Sequence, residues 1–262
     1  MKNIRGGVQR MSKDSRREQI VELVSNSREM SNSELSRLFG VTEETIRKDV
    51  SFLSEQGLLV RTFGGASSMP GRERPLSQRN VAHYEEKQKI ARKALEFIGD
   101  NESIAMDSGS TVVSLARCLK NDSGLVVVTN ALEILNIMSG MHGVMAISSG
   151  GNLRPKSMTF TGRAAEESMA SYNIQKYFMS AEAIDLALGV MDAGEAEVLV
   201  KRKLIASVKE TYLLADHSKF QTMAHITTCP VSDITTIITD DAIDERILKA
   251  YRDAGANVVV AE

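Results

Sequence analysis

Residues 31–66 decide the fold of the N-terminal part of this chain and read SNSELSRLFGVTEETIRKDVSFLSEQGLLVRTFGGA. Ser31 and Glu34 have the spacing of a capping box, which predicts that a helix begins here. Its apolar stripe is expected to consist of Leu35, Leu38 and Phe39. Gly40 can adopt the left-handed conformation found after helix ends, so we expect the helix to stop there.

A second helix is predicted from Glu43 to Gln56, with the hydroxyl of Thr42 as its N-cap. Its apolar face is expected to comprise Ile46, Val50 and Leu53, and its opposite face Glu44, Lys48, Ser51 and Glu55. Two short helices joined by a turn that contains Gly are typical of a helix-turn-helix, whose second helix lies in the DNA major groove. An ordinary helical hairpin with a solvated charged face would show the same pattern.

The residues after the second helix favour DNA binding. Gly57 ends the helix, residues 58–63 read as a strand, and Gly64 and Gly65 read as a turn. A helix pair followed by a β-wing that carries a cation is a winged helix, in which Arg61 would contact phosphate or the minor groove. We therefore predict a DNA-binding domain rather than a plain helical hairpin.

The same stretch resembles the signature of the DeoR family of bacterial transcription regulators. Family members resemble VSxxTIRRDLxxLxxxGxxxRxHGGA where this chain has VTEETIRKDVSFLSEQGLLVRTFGGA. The departures are Thr42 for Ser, Lys48 for Arg, Val50 for Leu and Phe63 for His. Thr42 keeps a capping hydroxyl, whereas Lys48 keeps the charge but loses the rigid fork that binds guanine through two hydrogen bonds. This affects the inherited base preference and not the docking mode.

The expected partner of this domain is double-stranded operator DNA. We expect Arg47, Lys48 and Arg61 to hold phosphates or bases, and Thr42 and Thr45 to help fix the helix on the DNA backbone. The full predicted DNA-binding set is Ser33, Thr42, Glu44, Thr45, Arg47, Lys48, Arg61, Gly64 and Gly65. Because symmetric operators favour symmetric binders, a homodimer or homotetramer is expected.

The charge distribution fits a DNA-binding head on a larger body. The 262 residues carry a net charge of -2, which by itself argues against a nucleic-acid binder. Residues 1–79, however, hold 14 Lys and Arg against 10 Asp and Glu, a balance of +4, and the remainder holds 18 against 24, a balance of -6. We predict a winged helix-turn-helix domain over 14–66, a linker over 67–80 rich in small, Pro and charged residues, and an effector domain over 81–262.

Composition argues against several other classes of protein. The two cysteines, Cys118 and Cys229, are far apart, and His225 is the only histidine near either. A disulfide framework or zinc site is therefore not expected, nor is any metal or cofactor. No apolar run approaches the ~18 residues of a membrane span, and no apolar segment follows the N-terminal cations as in a signal peptide. We expect a cytoplasmic protein without a membrane partner.

Strands and helices are predicted to alternate from residue 103 onward. The predicted strands are 103–107, 125–129, 144–148, 176–179, 211–216, 234–239 and 258–260. The predicted helices are 81–98, 111–119, 131–138, 163–171, 196–207 and 241–254, and another over 14–25 braces the helix-turn-helix. The fold class is therefore α/β, with a winged helix followed by a larger domain built on a mostly parallel sheet. Ligands of such sheets bind beyond the carboxyl ends of the strands.

Four polar loops follow predicted strands. Residues 107–111, DSGST, open a helix whose unpaired amides suit an anion such as phosphate, although a plain N-cap has the same residues. Residues 129–130 offer Thr and Asn, and residues 149–151 offer two glycines where the backbone could pass close to a ligand. Residues 216–219 include Lys219, either a phosphate contact or a solvated surface lysine. His217 in that loop is expected to be a capping or surface residue, because no second metal ligand lies near it.

These loops also carry the family resemblance. The blocks AMDSGSTV, VVVTNALEIL, SSGGNLRPKSMTFTG, LLADHSKF and IITD resemble those of DeoR-type effector domains, which are similar in fold to sugar-phosphate isomerases and bind phosphorylated sugars or related metabolites. The resemblance implies a phosphate cradle made by Asp107, Ser108, Gly109, Ser110 and Thr111. It implies that the same pocket is lined by Thr129, Asn130, Gly150, Gly151, Lys201 and Lys219. Ser110 stands where the family usually has Thr and keeps the hydroxyl.

The relation to isomerases makes an enzyme the principal alternative. Related isomerases resemble DGADEID where this chain has residues 179–185, MSAEAID. Met179 stands where the first Asp would be and cannot accept a proton, while Glu182 and Asp185 could act as a base or be solvated carboxylates. We predict binding without turnover: a transcriptional repressor of a sugar or polyol catabolic operon, modulated by a phosphorylated sugar or polyol. The alternatives are a sugar-phosphate isomerase-like enzyme with an appended DNA-binding domain and a pure protein-interaction module.

Overall fold

The structure, a computed structural model, describes residues 13–27, 29–67 and 76–262. The chain divides into two compact units, Met1–Arg72 and Glu73–Glu262. Most of the predicted linker, 67–80, falls outside the described residues. The exact limits predicted for the linker and for the two domains stay predictions.

The described residues of the smaller unit form three helices and a short antiparallel sheet. Its elements are α1 (Lys13–Ser27), β1 (Glu29–Ser31), α2 (Asn32–Phe39), α3 (Glu43–Glu55), β2 (Val60–Arg61) and β3 (Gly65–Ser67). The strand order is β1-β3-β2. The predicted local signals are present, because Ser31 and Glu34 form a capping box, Gly40 has φ of 61°, and Thr42 accepts a hydrogen bond from the amide of Thr45.

The core of this unit is formed by the apolar faces of its helices and by the wing. The fully or nearly fully buried residues are Ile20, Val24, Leu35, Ile46, Val50, Leu53, Leu59 and Ala66. The predicted stripe of α2 was wrong at Leu38, which is 62% exposed. Leu38 and Phe39 lie about 60° and 40° to opposite sides of Leu35 on the helix, and only the side of Phe39 packs against the core.

The wing differs from its prediction in two ways. The strand expected over 58–63 is limited to β2, and Gly65 belongs to β3 rather than to the turn. The turn itself consists of Phe63 and Gly64, closed by a hydrogen bond of 3.0 Å from the amide of Thr62 to the carbonyl of Gly65. Neither β1 nor β3 was predicted, because a three-residue strand exists only through its partner and carries no period of its own.

The larger unit begins with two helices, α4 (Leu76–Val81) and α5 (Tyr84–Leu95), where a single helix over 81–98 was predicted. The helices are separated at His83, which has a left-handed φ of 51°. The ammonium of the buried Lys87 donates to the carbonyls of Arg79 and Ala82, each at 2.5 Å, and so binds the C-terminal end of α4. Part of the predicted linker is therefore helical, because Lys87 of α5 binds the end of α4.

The remaining elements alternate as expected, with additional short strands. In chain order they are β4 (Ser103–Met106), α6 (Ser110–Cys118), β5 (Val126–Thr129), α7 (Leu132–Met138), β6 (Met145–Ser148), β7 (Asn152–Arg154), β8 (Thr159–Thr161), α8 (Arg163–Ala170), β9 (Lys176–Met179), β10 (Ala183–Asp185), β11 (Gly189–Asp192), α9 (Glu195–Ile205), β12 (Glu210–Leu214), β13 (Ile226–Cys229), β14 (Thr236–Asp240), α10 (Glu245–Asp253) and β15 (Val258–Ala261). Short 3-10 turns cover His217–Lys219 and Val231–Asp233.

A seven-stranded sheet organises the larger unit, in the order β15-β14-β12-β9-β4-β5-β6. Every pair in it is parallel, which confirms the predicted α/β class. Buried residues pack on both faces: the side chain of Tyr177 belongs to one core and that of Phe178 to the other. The carboxyl ends of all seven strands therefore lie along one edge. Two smaller antiparallel sheets, β10-β11-β13 and β7-β8, were not predicted.

None of the helices in the described part of the chain has the length and hydrophobicity that a membrane span requires. Cys118 and Cys229 are both free.

Candidate functional site

The outer face of α3 carries exposed cations. The side chains of Arg47 and Lys48 are 54% and 75% exposed, and they form ion pairs with Glu43 at 3.4 Å and with Glu44 at 3.5 Å. Exposed pairs of this kind are worth about 0.3–0.5 kcal/mol on a helix. They are therefore weak enough to be exchanged for stronger contacts with phosphate or base edges.

A groove runs between α3 and the wing. It is lined by Glu44, Arg47, Lys48, Ser51, Phe52, Glu55 and Arg61. The guanidinium of Arg61 donates to the hydroxyl of Ser51 at 3.3 Å, which brings the wing cation to the charged face of α3. Four predicted DNA-binding residues, Glu44, Arg47, Lys48 and Arg61, thus lie on one surface.

The other predicted DNA-binding residues lie at turns. The hydroxyls of Thr42 and Thr45 are 2.9 Å apart at the start of α3, and that of Ser33 lies 3.0 Å from the hydroxyl of Ser31 at the start of α2. Gly64 is exposed, with open space where a Cβ would be. Gly65 is buried, and its Cβ would meet the carbonyl oxygen of Met30 at 2.0 Å, so packing alone requires Gly at that position.

Sequence reasoning missed Asp49, the residue that joins α3 to α1. Its carboxylate is 2% exposed and accepts from the Nε atoms of Arg16 and Arg17, each at 2.8 Å. The guanidinium of Arg17 also lies over the ring of Phe52, 3.7 Å from its centroid. A signal was present, because Asp49 stands three residues after Ile46 on the face that was predicted to be apolar.

In the larger unit, Asp107 stands at the carboxyl end of β4, and its carboxylate organises the loop. Oδ1 accepts from the amide of Gly109 at 2.8 Å, and Oδ2 accepts from the amide of Ser180 at 3.0 Å. The ammonium of Lys201 lies 3.3 Å from Oδ2. The structure thus unites the loops after β4 and β9 with a cation from α9.

Lys201 joins the buried carboxylate of Asp107 to the partly buried carboxylate of Asp192. Its ammonium donates to the carbonyl of Ser180 at 2.6 Å and to Asp192 Oδ1 at 2.8 Å, besides its ion pair with Asp107. Burial by itself would lower the pKa of Lys201, but the charges of Asp192 and Asp107 outweigh it and raise the pKa. Lys201 was predicted to contact the effector, and it lies at the predicted loop. Its ammonium is bonded there to groups of the protein itself.

A protein group approaches Gly109 closely. A Cβ on Gly109 would lie 1.7 Å from the hydroxyl oxygen of Ser180. Ser108, Ser110 and Thr111 are all buried. The loop that precedes α6 is therefore packed against Ser180, a residue that was not predicted for this site.

The residues at the ends of β5 and β6 are held in the fold by hydrogen bonds and tight packing. The hydroxyl of Thr129 donates to the carbonyl of Met106 at 2.7 Å, and the amide nitrogen of the Asn130 side chain donates to the carbonyl of Phe160 at 3.2 Å. The side-chain oxygen of Asn130 is buried and accepts no hydrogen bond. Gly150 and Gly151 have φ of 62° and 103°, and a Cβ on Gly151 would meet the carbonyl of Thr161 at 2.6 Å.

The loop after β12 carries the other predicted cation. Lys219 Nζ lies 3.8 Å from Glu182 Oε2, and its side chain is 20% exposed. Burial would raise the pKa of Asp216, but the charge of Lys219 and a hydrogen bond from Ser218 lower it overall. Because Ser180 and Glu182 belong to one loop, the ends of β4, β9 and β12 meet at this edge of the sheet.

His217 was predicted to be a capping or surface residue. In the structure its side chain contacts two other residues. Its Nδ1 atom lies 2.8 Å from Oδ1 of the fully buried Asp240, and its ring meets that of His83 edge to face at 5.3 Å. Across the part of the chain that the structure describes, no group of three or more His, Cys, Asp or Glu residues could hold a metal ion.

Comparison with protein families matches both units. Residues 16–70 match the DeoR-like helix-turn-helix domain, and residues 82–241 match the DeoR C terminal sensor domain. The uncharacterised HTH-type transcriptional regulator YulB of Bacillus subtilis (strain 168) is 34% identical over 245 residues, which cover 93% of this chain and 95% of that protein.

Two further relatives have names that describe regulators. The HTH-type transcriptional regulator IolR of Bacillus subtilis (strain 168) is 32% identical, over 87% of this chain and 91% of that protein. The glycerol-3-phosphate regulon repressor of Escherichia coli (strain K12) is 31% identical, over 88% of this chain and 92% of that protein. Among solved structures, a D-ribose-5-phosphate isomerase in complex with phospho-erythronic acid has a TM-score of 0.38 at 17% identity, and covers 52% of this chain and 54% of that one. This similarity is too low to inform function.

Proposed function

This chain belongs to the DeoR family of transcriptional regulators, and from that premise we propose that it represses a sugar or polyol catabolic operon under the control of a phosphorylated sugar or polyol. The proposal has two parts, operator binding by the smaller unit and effector binding by the larger. Each part rests on its own geometry and is tested by its own experiment.

The charged face of α3 carries the first part. Arg47 and Lys48 are exposed on the second helix of a helix-turn-helix, and Arg61 approaches the same face from the wing. In such folds this helix enters the major groove and the wing contacts the DNA backbone or the minor groove. The ion pairs of these cations with Glu43 and Glu44 are exposed and weak, so they can be exchanged for contacts with DNA.

Operator binding is tested with the full-length protein and a duplex that it selects from a random pool. Arg47→Ala and Lys48→Ala are each expected to weaken binding about tenfold, consistent with the loss of 1–3 kcal/mol per contact. Lys249→Ala is the matched control, because Lys249 is 79% exposed on α10 of the larger unit. Failure to select any duplex at moderate salt would refute operator binding.

The strand ends of the larger unit support the second part. Ser108, Ser110 and Thr111 stand at the start of α6, where the backbone amides and the helix dipole favour an anion. Lys219 adds a partly exposed cation at the same edge of the sheet. One relative is named a glycerol-3-phosphate regulon repressor, a name that supports a phosphorylated polyol or sugar as the class of effector.

Effector binding is tested by thermal unfolding of the full-length protein with phosphorylated sugars and polyols and with their unphosphorylated forms. A compound at 100 times its Kd should add about 2.7 kcal/mol to the free energy of unfolding. Lys219→Ala should reduce the shift and Lys249→Ala should leave it unchanged. A shift that does not require the phosphate, or no shift with any compound, would refute this part.

Binding without turnover is also proposed. Met179 is fully buried at the end of β9 and supplies no base, and Asp185 is held by the amides of Ala187 and Leu188. A coupled assay of sugar-phosphate isomerisation by the purified protein should show no activity above the rate without protein.

Light scattering should show a homodimer or homotetramer, because symmetric operators favour symmetric binders. Cytoplasmic localisation follows from the proposed operator.

A further inference from the structure

Phe63 at the tip of the wing is the most exposed large apolar side chain of the described residues. Its relative exposure is 111%, against 40% for Phe52, the other exposed aromatic residue of the smaller unit. Phe52 lies under the guanidinium of Arg17, and Phe39 packs against the core. A fully exposed aromatic ring is unusual, because burying it is favourable whenever a surface is available.

The backbone holds Phe63 in a defined place. The turn is closed from Thr62 to Gly65, and the carbonyl of Gly64 accepts a hydrogen bond of 2.8 Å from the amide of Asn32, the first residue of α2. Gly65, which follows the turn, packs so closely on β1 that no Cβ fits. The ring is therefore presented by a braced turn, two residues beyond Arg61.

We propose that Phe63 makes an apolar contact in the minor groove of bound DNA, against the sugars or between two base steps. Aromatic and aliphatic side chains of minor-groove binders act in this way. The contact continues the surface formed by α3 and Arg61, and Arg61 supplies the positive charge that brings the wing to the phosphates. This inference rests on the operator binding proposed above.

The test compares the full-length protein with Phe63→Ala, Phe63→Leu and Arg61→Ala on the duplex selected by the parent protein. We expect Phe63→Ala to weaken binding about tenfold, as for the loss of one aromatic contact to DNA, and Phe63→Leu to weaken it less. Because no charge is removed, the salt dependence of binding should stay that of the parent, whereas Arg61→Ala should lower its slope by about one. Met223→Ala is the control, an apolar side chain that is 75% exposed in the larger unit.

The outcomes separate this inference from the proposed function. If the parent selects a duplex and Phe63→Ala binds it with parental affinity, the contact does not exist. A change in oligomeric state on Phe63→Ala, measured by light scattering without DNA, would show that Phe63 packs against a second copy and would also overturn the inference. If the parent selects no duplex, operator binding itself fails. Thermal unfolding of Phe63→Ala should match the parent, because the ring touches nothing that the fold needs.

Discussion

At the scale of single residues, the two adjacent glycines of the wing differ in whether their surroundings leave room for a Cβ atom. A Cβ on Gly65 would overlap the carbonyl of Met30, and it would force apart the pairing of β1 with β3. We expect Gly65→Ala to lower the free energy of unfolding by about 1–3 kcal/mol, as overpacking does. Gly64→Ala is the control, since its Cβ meets nothing within 4 Å. Urea unfolding of the full-length variants measures both, and equal losses would contradict the explanation.

The carboxylate of Asp216 gives a prediction on acid stability. Its pKa lies below the ordinary value of 3.8, so its ionised form stabilises the fold above that value, and the stabilisation is lost as the pH falls through the lowered pKa. Lys219→Met removes the largest influence that lowers this pKa, so burial should raise it and acid unfolding should begin at higher pH. Circular dichroism against pH measures this. Lys249→Met is the control, and coincident curves for the two variants would contradict the prediction.

At the scale of elements, the attachment of α3 to α1 depends on Asp49. Asp49→Ala would leave Arg16 and Arg17 without their buried partner, and such a loss costs about 3–5 kcal/mol. We expect that destabilisation in urea unfolding of the smaller unit within the full-length protein. Glu43→Ala, which removes an exposed acid from the same helix, should cost less than about 0.5 kcal/mol. A loss of under 1 kcal/mol for Asp49→Ala would contradict a structural role for the ion pairs of Asp49 with Arg16 and Arg17.

Elements defined by local signals were predicted well, and elements defined by pairing were not. The two helices of the helix-turn-helix and strand β9 match their predictions because caps, glycines and apolar periods lie within the segments themselves. The equally short strands of the sheets β7-β8 and β10-β11-β13 were missed because they are defined by their pairing and not by a pattern within each segment. The division between α4 and α5 was missed because a lysine in the second helix binds the end of the first.

At the scale of the whole molecule, effector and operator must influence each other equally. If a phosphorylated effector weakens operator binding by some factor, saturating operator must weaken effector binding by the same factor, commonly about 5–150-fold. Titration calorimetry of the effector, with and without the selected duplex, measures one factor. Titration of the duplex, with and without the effector, measures the other. A duplex of unrelated sequence is the control and should have a smaller effect. Factors that differ beyond error would contradict coupling between two binding equilibria.

The sequence by itself determined the order of the longer helices and of the parallel strands, the fold class and the candidate loops. It did so because helix caps, the turn at Gly40, the face of Ile46 and the polar strand ends are local features. The positions of Arg47, Lys48 and Asp107 in the candidate sites followed from that order.

Only the tertiary structure decided what these residues contact. Ser180, rather than a ligand, approaches Gly109, and Lys201 is bound between Asp107 and Asp192, which stands 85 residues further along the chain. Asp49 lies buried between two arginines of another helix, and Phe63 stands exposed at the end of a braced turn. Burial, charge pairing and close packing depend on residues that are distant in sequence, so no local pattern records them.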